Sequence, residues 1–394
     1  MKDVYKKQAR EVRRQCLGAI RQARKQYKGV CLIMAPIFTE ENIGEGYIQR
    51  VKAIDDEVLN ETFNIYVDFE TKATQPEITA VDERHMLISM MPFSKSCVRA
   101  VADIAAACNL VYTHSVMRAM PDIQGPYVHD IYRQKNVFYV WDVHGSVPEE
   151  FALSDNYYEA QNAGEGEELF IDTADIIITV NHAMKRHLET KYQRQLDNVV
   201  VLPIFHLGES DSEKLMEFKK QVFYPMSVYA GGVQEWQNIP LMQQTIQSAG
   251  DKYGYKMFIS KPDEYRAMWG DAKEPANYFL GRKSPAEVVE EYKACHFGFV
   301  LRDDITVNNV ACPTKLIEYI QYGIVPVLKS EKIGDFVDMG MEYLHYDSFS
   351  SDVPSFDRYC SMAQNNFEVL DKLQRAHDDG VAKLKGKLYE KFNF

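Results

Sequence analysis

The sequence predicts an α/β protein made of two consecutive units, each with a mainly parallel sheet. Three observations point there. The 394 residues exceed what one hydrophobic core comfortably holds. Short apolar runs of strand length alternate with helix-period stretches along most of the chain. The alternation breaks once, at the polar stretch HLGESDSEKLMEFKKQ (206–221), and then restarts.

Residues 2–27 read as a helix. Tyr5, Ala9, Val12, Cys16, Ile20, Ala23 and Tyr27 recur every three or four residues and share one weakly apolar face. The net charge is -12, yet residues 1–28 carry +8 and the remainder -20. Two readings of this basic helix stand side by side: its apolar face packs on the protein's own domain, or the helix lies on an anionic membrane surface. The overall acidity argues against a nucleic-acid partner. No apolar run reaches membrane-spanning length, and the polar N-terminus does not read as a secretory signal. Seven cysteines without CxxC pairs or metal spacing read as reduced thiols of a cytoplasmic protein.

The elements then follow in order. Strands are expected at 30–37, 63–70, 85–91, 109–115, 137–145, 174–181 and 198–204, with helices at 48–58, 98–108 and 183–192. After the break, strands are expected at 225–232, 255–260, 276–281, 296–303 and 324–329. Helices are expected at 239–254, 284–295 and 314–323. The second of these has Ser284 as N-cap, Pro285 at the first helical position and Glu287 completing a capping box. A final helical stretch runs over 356–380. The expected organisation is a basic helix (1–28), a first Rossmann-like domain (29–205), a linker (206–224), a second Rossmann-like domain (225–355), and C-terminal helices (356–394) that return to the first domain. Right-handed crossovers place the loops after the strands along one edge of each sheet, so two such domains face each other across a cleft.

The chemistry concentrates in CPTKLIEYIQYG (312–323). Pro313 sets the first turn of a helix whose free N–H groups, with the Thr314 hydroxyl, form an anion site. Lys315 adds positive charge. Glu318 lies one turn on, where a carboxylate can accept both hydroxyls of a ribose. Gly323 ends the helix. Upstream, VYAGG (228–232) pairs a strand with Gly231 and Gly232, which let backbone approach a phosphate.

These segments resemble the donor-binding signature of GT-B glycosyltransferases, in particular the retaining family 4 group, with its P-x-K-x-x-E-Y-x-x-x-G-x-P-V string. Pro313, Lys315, Glu318, Tyr319, Gly323, Pro326 and Val327 match it in order. VWDVHGSVPEE resembles the family's D-x-H-G loop, which implies that His144 faces the donor sugar. GEGYIQRVKAID resembles its first loop, which implies Gly44 and Gly46 beside the phosphates and Arg50 at the start of a helix. YFLGRKSPAEVVEEYKAC resembles the passage that meets the base, near Gly281. The resemblance spans roughly residues 30–375.

The sequence departs from the pattern where the family carries a first glutamate eight residues before the second: that position is Val310. Asp303, Asp304, Asn308 and Asn309 precede it and are candidates to contact sugar hydroxyls instead. Gln234 and Gln237 stand where Arg and Lys are frequent, leaving Lys261 and Arg302 as candidates for the charge on the diphosphate. The resemblance implies transfer of a sugar from a nucleotide diphosphate sugar, a UDP-sugar first among them, to a hydroxyl of a glycan or lipid-linked acceptor. It further implies retention of configuration without a metal ion, in a cytoplasmic enzyme at the inner face of a membrane. His144, Lys261 and Glu318 are the expected catalytic residues. A sugar-nucleotide 2-epimerase of the same architecture and a non-catalytic nucleotide-sugar-binding subunit remain open.

Overall fold

The structure, a computed structural model, describes residues 4–43, 45–69, 75–203, 211–270 and 273–392. The chain divides into two units: Met1–Pro203 with His377–Phe394, and Ile204–Ala376.

In the first unit the strands are β1 (Gly29–Met34), β2 (Thr62–Phe69), β3 (Glu77–Ala80), β4 (His85–Met90), β5 (Leu110–His114), β6 (Phe138–Val143), β7 (Ile176–Thr179) and β8 (Val199–Val201). They form one sheet in the order β3-β4-β2-β1-β5-β6-β7-β8. Neighbours run parallel, except β3 with β4. β1 is buried along its whole length, which is why its sequence shows no alternation. β3 is a short, exposed edge strand that the sequence pattern does not announce. It pairs through a turn in which Asp82 accepts from the backbone N–H groups of Arg84 and His85.

The N-terminal helix spans Lys6–Ala23. Ala9, Val12, Cys16, Ile20 and Ala23 are buried, and the helix packs on the helix Lys95–Ala105 and on β3. Its apolar face is thus occupied by its own unit. Lys6, Lys7, Arg10, Arg21 and Lys25 remain exposed on the other side. No helix among the described residues is long and apolar enough to cross a membrane.

The helix Tyr157–Thr173 is not foreshadowed by periodicity. Gly164 and Gly166 weaken its helical signal, and its buried face includes the carboxylate Glu167. That carboxylate is satisfied by Lys191 Nζ at 2.7 Å and the Tyr192 hydroxyl at 2.6 Å. Burying a charge without such partners would cost several kcal/mol, roughly.

The second unit has β9 (Met226–Gly231), β10 (Gly254–Ile259), β11 (Tyr278–Gly281), β12 (Phe297–Val300), β13 (Val325–Leu328) and β14 (Leu344–His345), ordered β11-β10-β9-β12-β13-β14 and parallel throughout. Tyr229, Tyr253, Tyr255, Phe297, Phe299 and Phe349 lie in its core. The expected capping box is present at the helix Pro285–Tyr292: the Ser284 hydroxyl accepts from Glu287 N–H, and Glu287 accepts from Ser284 N–H.

The stretch expected to be a linker is in part folded. Residues 206–210 lie outside the described residues, while Ser212–Lys220 is a helix. Its Lys219 is fully buried and donates to the carbonyls of Tyr292 and Cys295, closing the C-terminal end of Pro285–Tyr292. The C-terminal region is one continuous helix, Phe356–Phe392, rather than several.

Candidate functional site

Open parallel sheets bind ligands beyond the carboxyl ends of their strands, where the strand order reverses. In the second unit that point lies between β9 and β12. Gly231 closes β9, Arg302 follows β12, and the helix Thr314–Gln321 starts beside them. Pro313 occupies the N-cap and provides no side-chain cap, so the first N–H groups stay available for an anion. Gly323 adopts a left-handed φ of +61°, the expected stop.

Lys315 places Nζ 3.8 Å from the centroid of the Tyr229 ring. A Cβ on Gly231 would come within 2.6 Å of that nitrogen, so this turn is glycine because the lysine needs the space. Neither Lys315 nor Arg302 makes a salt bridge among the described residues. Burial, then the Arg302 charge, pulls Lys315 down to about 7, with Glu318 opposing. Arg302 Nε, Asn308 Oδ1 and Asn309 Oδ1 are buried and lack hydrogen-bond partners. Unsatisfied buried polar atoms are uncommon, and their concentration here beside two unpaired cations describes a site shaped for an anion with hydroxyls.

Glu318 reaches the surface from the next turn, and the Tyr292 hydroxyl donates to its Oε2 at 3.4 Å. The surrounding protein raises its carboxyl above the usual range, against the pull of Lys315. The loop acids are already engaged: Asp303 pairs with Lys329, and Asp304 with Lys332 at 2.7 Å and with Asn309 Nδ2 at 2.7 Å. Unused acceptor capacity in this loop, among the described residues, therefore rests on the two asparagine oxygens. Val310 is buried and offers no polar group.

The other named positions are less closely joined to this cluster. Thr314 is exposed at the first helical position. Gly232 accepts through its carbonyl from the Tyr229 hydroxyl at 2.6 Å. Gly281 ends β11, and a Cβ there would meet the Phe279 ring at 3.0 Å. Lys261 is two-thirds exposed and pairs with Glu264 at 2.9 Å, so its ammonium is held by its own helix instead of standing unpaired beside Lys315. Tyr229 and Tyr292, which hold Lys315 and Glu318, escape a motif search because they read only as core aromatics.

In the first unit the order reverses between β1 and β5. His114 ends β5, Asp142 is the penultimate residue of β6, and His144 follows that strand. Arg50 is fully buried in the helix Gly46–Glu57 and forms two bonds to Asp142, at 3.0 and 3.2 Å. The helix therefore begins at Gly46, ahead of the expected start, and Arg50 is a buried ion-pair partner. The Tyr112 hydroxyl adds a third bond to Asp142 at 2.9 Å. Burial alone would raise Asp142, but Arg50 and the two histidines overcome it and hold it at about 2.

His144 Nε2 lies 2.9 Å from His114 Nδ1, and Tyr47 packs on His144 with centroids 4.7 Å apart. Burial pushes His144 down to about 4 and His114 well below its ordinary value, so both rings are neutral at pH 7. The ligand atoms of His114, Asp142 and His144 lie within 4.8 Å of one another, a spacing a metal ion could use. Asp142, however, already accepts three bonds, two from a guanidinium whose charge opposes a second cation. Gly46 is exposed with open space around it, and Gly44 lies outside the described residues.

No family model matches the sequence, and no curated protein matches it significantly. Solved structures do match. Sucrose-phosphate synthase from Thermosynechococcus elongatus is 12% identical, covers 92% of this chain and 98% of its own, and superposes with a TM-score of 0.56. HepE from Anabaena, solved in complex with UDP and glucose, is 12% identical over 93% of this chain and 99% of its own, with a TM-score of 0.60. An α,α-trehalose-phosphate synthase (UDP-forming) from Burkholderia vietnamiensis is 11% identical over 92% and 100%, with a TM-score of 0.56. The fold is that of GT-B glycosyltransferases.

Proposed function

We propose that the chain is a glycosyltransferase that moves a sugar from a nucleotide diphosphate sugar to an acceptor hydroxyl. The observation that carries this reading is the pair Arg302 and Lys315, two cations without salt-bridge partners among the described residues, beside a glycine turn and an uncapped helix start. A departing diphosphate needs positive charge already in place, because organised charge in a partly dry site stabilises it most. Glu318 would hold the ribose, Asn308 and Asn309 sugar hydroxyls, and the backbone near Gly281 the base. Among the matching solved structures, HepE is described in complex with UDP or UDP-glucose and a trehalose-phosphate synthase as UDP-forming, which supports a UDP-sugar as donor.

Retention and a metal-free mechanism belong to the same proposal. Asp142, the carboxylate beside His144, is engaged by Arg50 and Tyr112 and is poorly placed to be a nucleophile. A donor phosphate oxygen would then take the acceptor proton. Lys261 would have to leave Glu264 to assist. A glycan or lipid-linked acceptor at the inner face of a membrane fits the exposed cations of the N-terminal helix, held there by charge since the apolar face is occupied.

The test is calorimetry with UDP and UDP-glucose, followed by donor turnover with supplied acceptors. Glu318→Ala should weaken UDP binding about 100-fold, the loss of two charge-assisted bonds of ~1.5 kcal/mol each. Wild-type affinity in that variant would remove the proposed ribose contact. Tight binding without any turnover would favour the non-catalytic subunit, and conversion of the donor sugar to its epimer would favour the epimerase.

A further inference from the structure

The His114–His144 contact has one proton to share, and the side chains around it decide where that proton sits. We infer that His114 is a positioning residue that holds His144 in the tautomer protonated on Nδ1. What Nδ1 then meets, a substrate oxygen, rests on the function proposed above.

A neutral imidazole carries one N–H and one bare nitrogen. The 2.9 Å contact between His114 Nδ1 and His144 Nε2 therefore has a donor on one side and an acceptor on the other. If His114 carried its proton on Nε2, that N–H would have no acceptor among the described residues, on a side chain only 1% exposed. Orphaned buried N–H groups are rare because the lost hydrogen bond is not replaced. With the proton on Nδ1 of His114 the N–H has His144 Nε2 as acceptor and the Asp142 carboxylate 3.6 Å away. The same carboxylate is farther from His144 Nε2, at 3.9 Å. Both distances favour His114 as donor.

His144 Nε2 is then the acceptor, so its own proton must reside on Nδ1. That nitrogen has no protein partner among the described residues, and the His144 side chain is 10% exposed. The neighbours keep the arrangement in place. Arg50 and Tyr112 fix Asp142, Tyr47 packs on His144, and the Tyr47 hydroxyl donates to the His114 carbonyl at 3.1 Å. Arg118 lies behind Tyr47, its Nε 3.5 Å from the hydroxyl, and adds positive charge that keeps the rings neutral. His144 is thereby presented as a hydrogen-bond donor, suited to a sugar oxygen and not to removing a proton.

The test is nitrogen NMR of histidine-labelled full-length protein, which distinguishes protonated from bare ring nitrogens. The wild type should show His144 protonated on Nδ1 and His114 protonated on Nδ1. His114→Phe keeps the ring shape without the donor and should shift His144 towards the other tautomer. His114→Asn can place an amide N–H near the position of Nδ1 and should restore the original signature. In donor turnover, His114→Phe should lower kcat about tenfold to hundredfold with donor KM little changed, and His114→Asn should recover most of it. A wild-type His144 protonated on Nε2 overturns the inference, as does an unchanged tautomer in His114→Phe. Zinc titration that shifts both imidazoles also overturns it, by making them ligands. If His114→Phe does not fold, the wild-type spectrum and the Asn variant decide. If no nucleotide sugar binds, the proposed function fails while the spectra still decide the tautomer.

Discussion

Lys315 links nucleotide binding to pH in a way that can be worked from the structure. In the free protein its ammonium faces Tyr229 and Arg302 with no salt bridge among the described residues; burial, then the Arg302 charge, outweighs Glu318 and holds it at about 7. A bound diphosphate would return its pKa towards 10.5, the value of an undisturbed lysine. The sign follows: the protonated form binds, so affinity is greatest below the free-state value and falls as pH rises past it. UDP-glucose is the ligand to use, because its diester diphosphate does not itself titrate in this window. Between about pH 7 and pH 8.5 the dissociation constant should rise about fifteenfold, or ~1.6 kcal/mol, with nearly one proton taken up per ligand at the upper end. Calorimetry in two buffers of different ionisation enthalpy counts the protons directly. Lys315→Met should bind weakly at every pH and show no proton uptake. Tight binding that is independent of pH and buffer would refute this account of Lys315.

Three further outcomes are expected. Arg50→Met leaves Asp142 buried without its cation and should cost about 3–5 kcal/mol in urea unfolding, whereas a loss below 1 kcal/mol, roughly, would mean the pair is not buried as described. His85 lies 2.7 Å from Asp82 and 3.0 Å from Asp55; burial alone would lower its pKa, but the two carboxylates raise it above 6.5. Its contribution is therefore complete below 6.5 and lost as pH rises through the folded value, so His85→Gln should flatten the decline in urea midpoint above neutrality, and an equally steep decline would count against it. Replacing Lys6, Lys7 and Arg10 by Glu should weaken binding to vesicles containing anionic lipid by at least ~3 kcal/mol while leaving the melting temperature nearly unchanged. Unchanged vesicle binding, or none by the intact protein, would remove the membrane from the proposal.

What could be read in the residue order was whatever local pattern controls. Apolar runs marked twelve strand positions closely enough to predict two α/β units, because a strand buried on both faces must be apolar throughout. Ser284, Pro285 and Glu287 announced a capping box, and Gly323 a helix stop, because caps are local contacts. The stretch from Pro313 to Glu318 announced a helix start with an acid one turn on, and the helix begins there, at Thr314. The edge strand Glu77–Ala80 and the helix Tyr157–Thr173 lay beyond that reach, one too exposed and the other too rich in glycine and acid to show a period.

Partnership is another matter, since it joins residues far apart in the chain. Residue order showed Lys315 as a cation but not the Tyr229 face under it, and made Lys261 its equal. Folding gave Lys261 a neighbour in Glu264 and, among the described residues, left Lys315 and Arg302 without a salt bridge. It also showed that the apolar side of the N-terminal helix is covered by its own unit. His144 stood out through its D-x-H-G setting, yet its hydrogen bond to His114, thirty residues earlier, depends on β5 and β6 lying side by side. Local spacing determines an element and the face it presents; charge state and tautomer depend on burial and on side chains that only the packed sheet brings within a few ångströms.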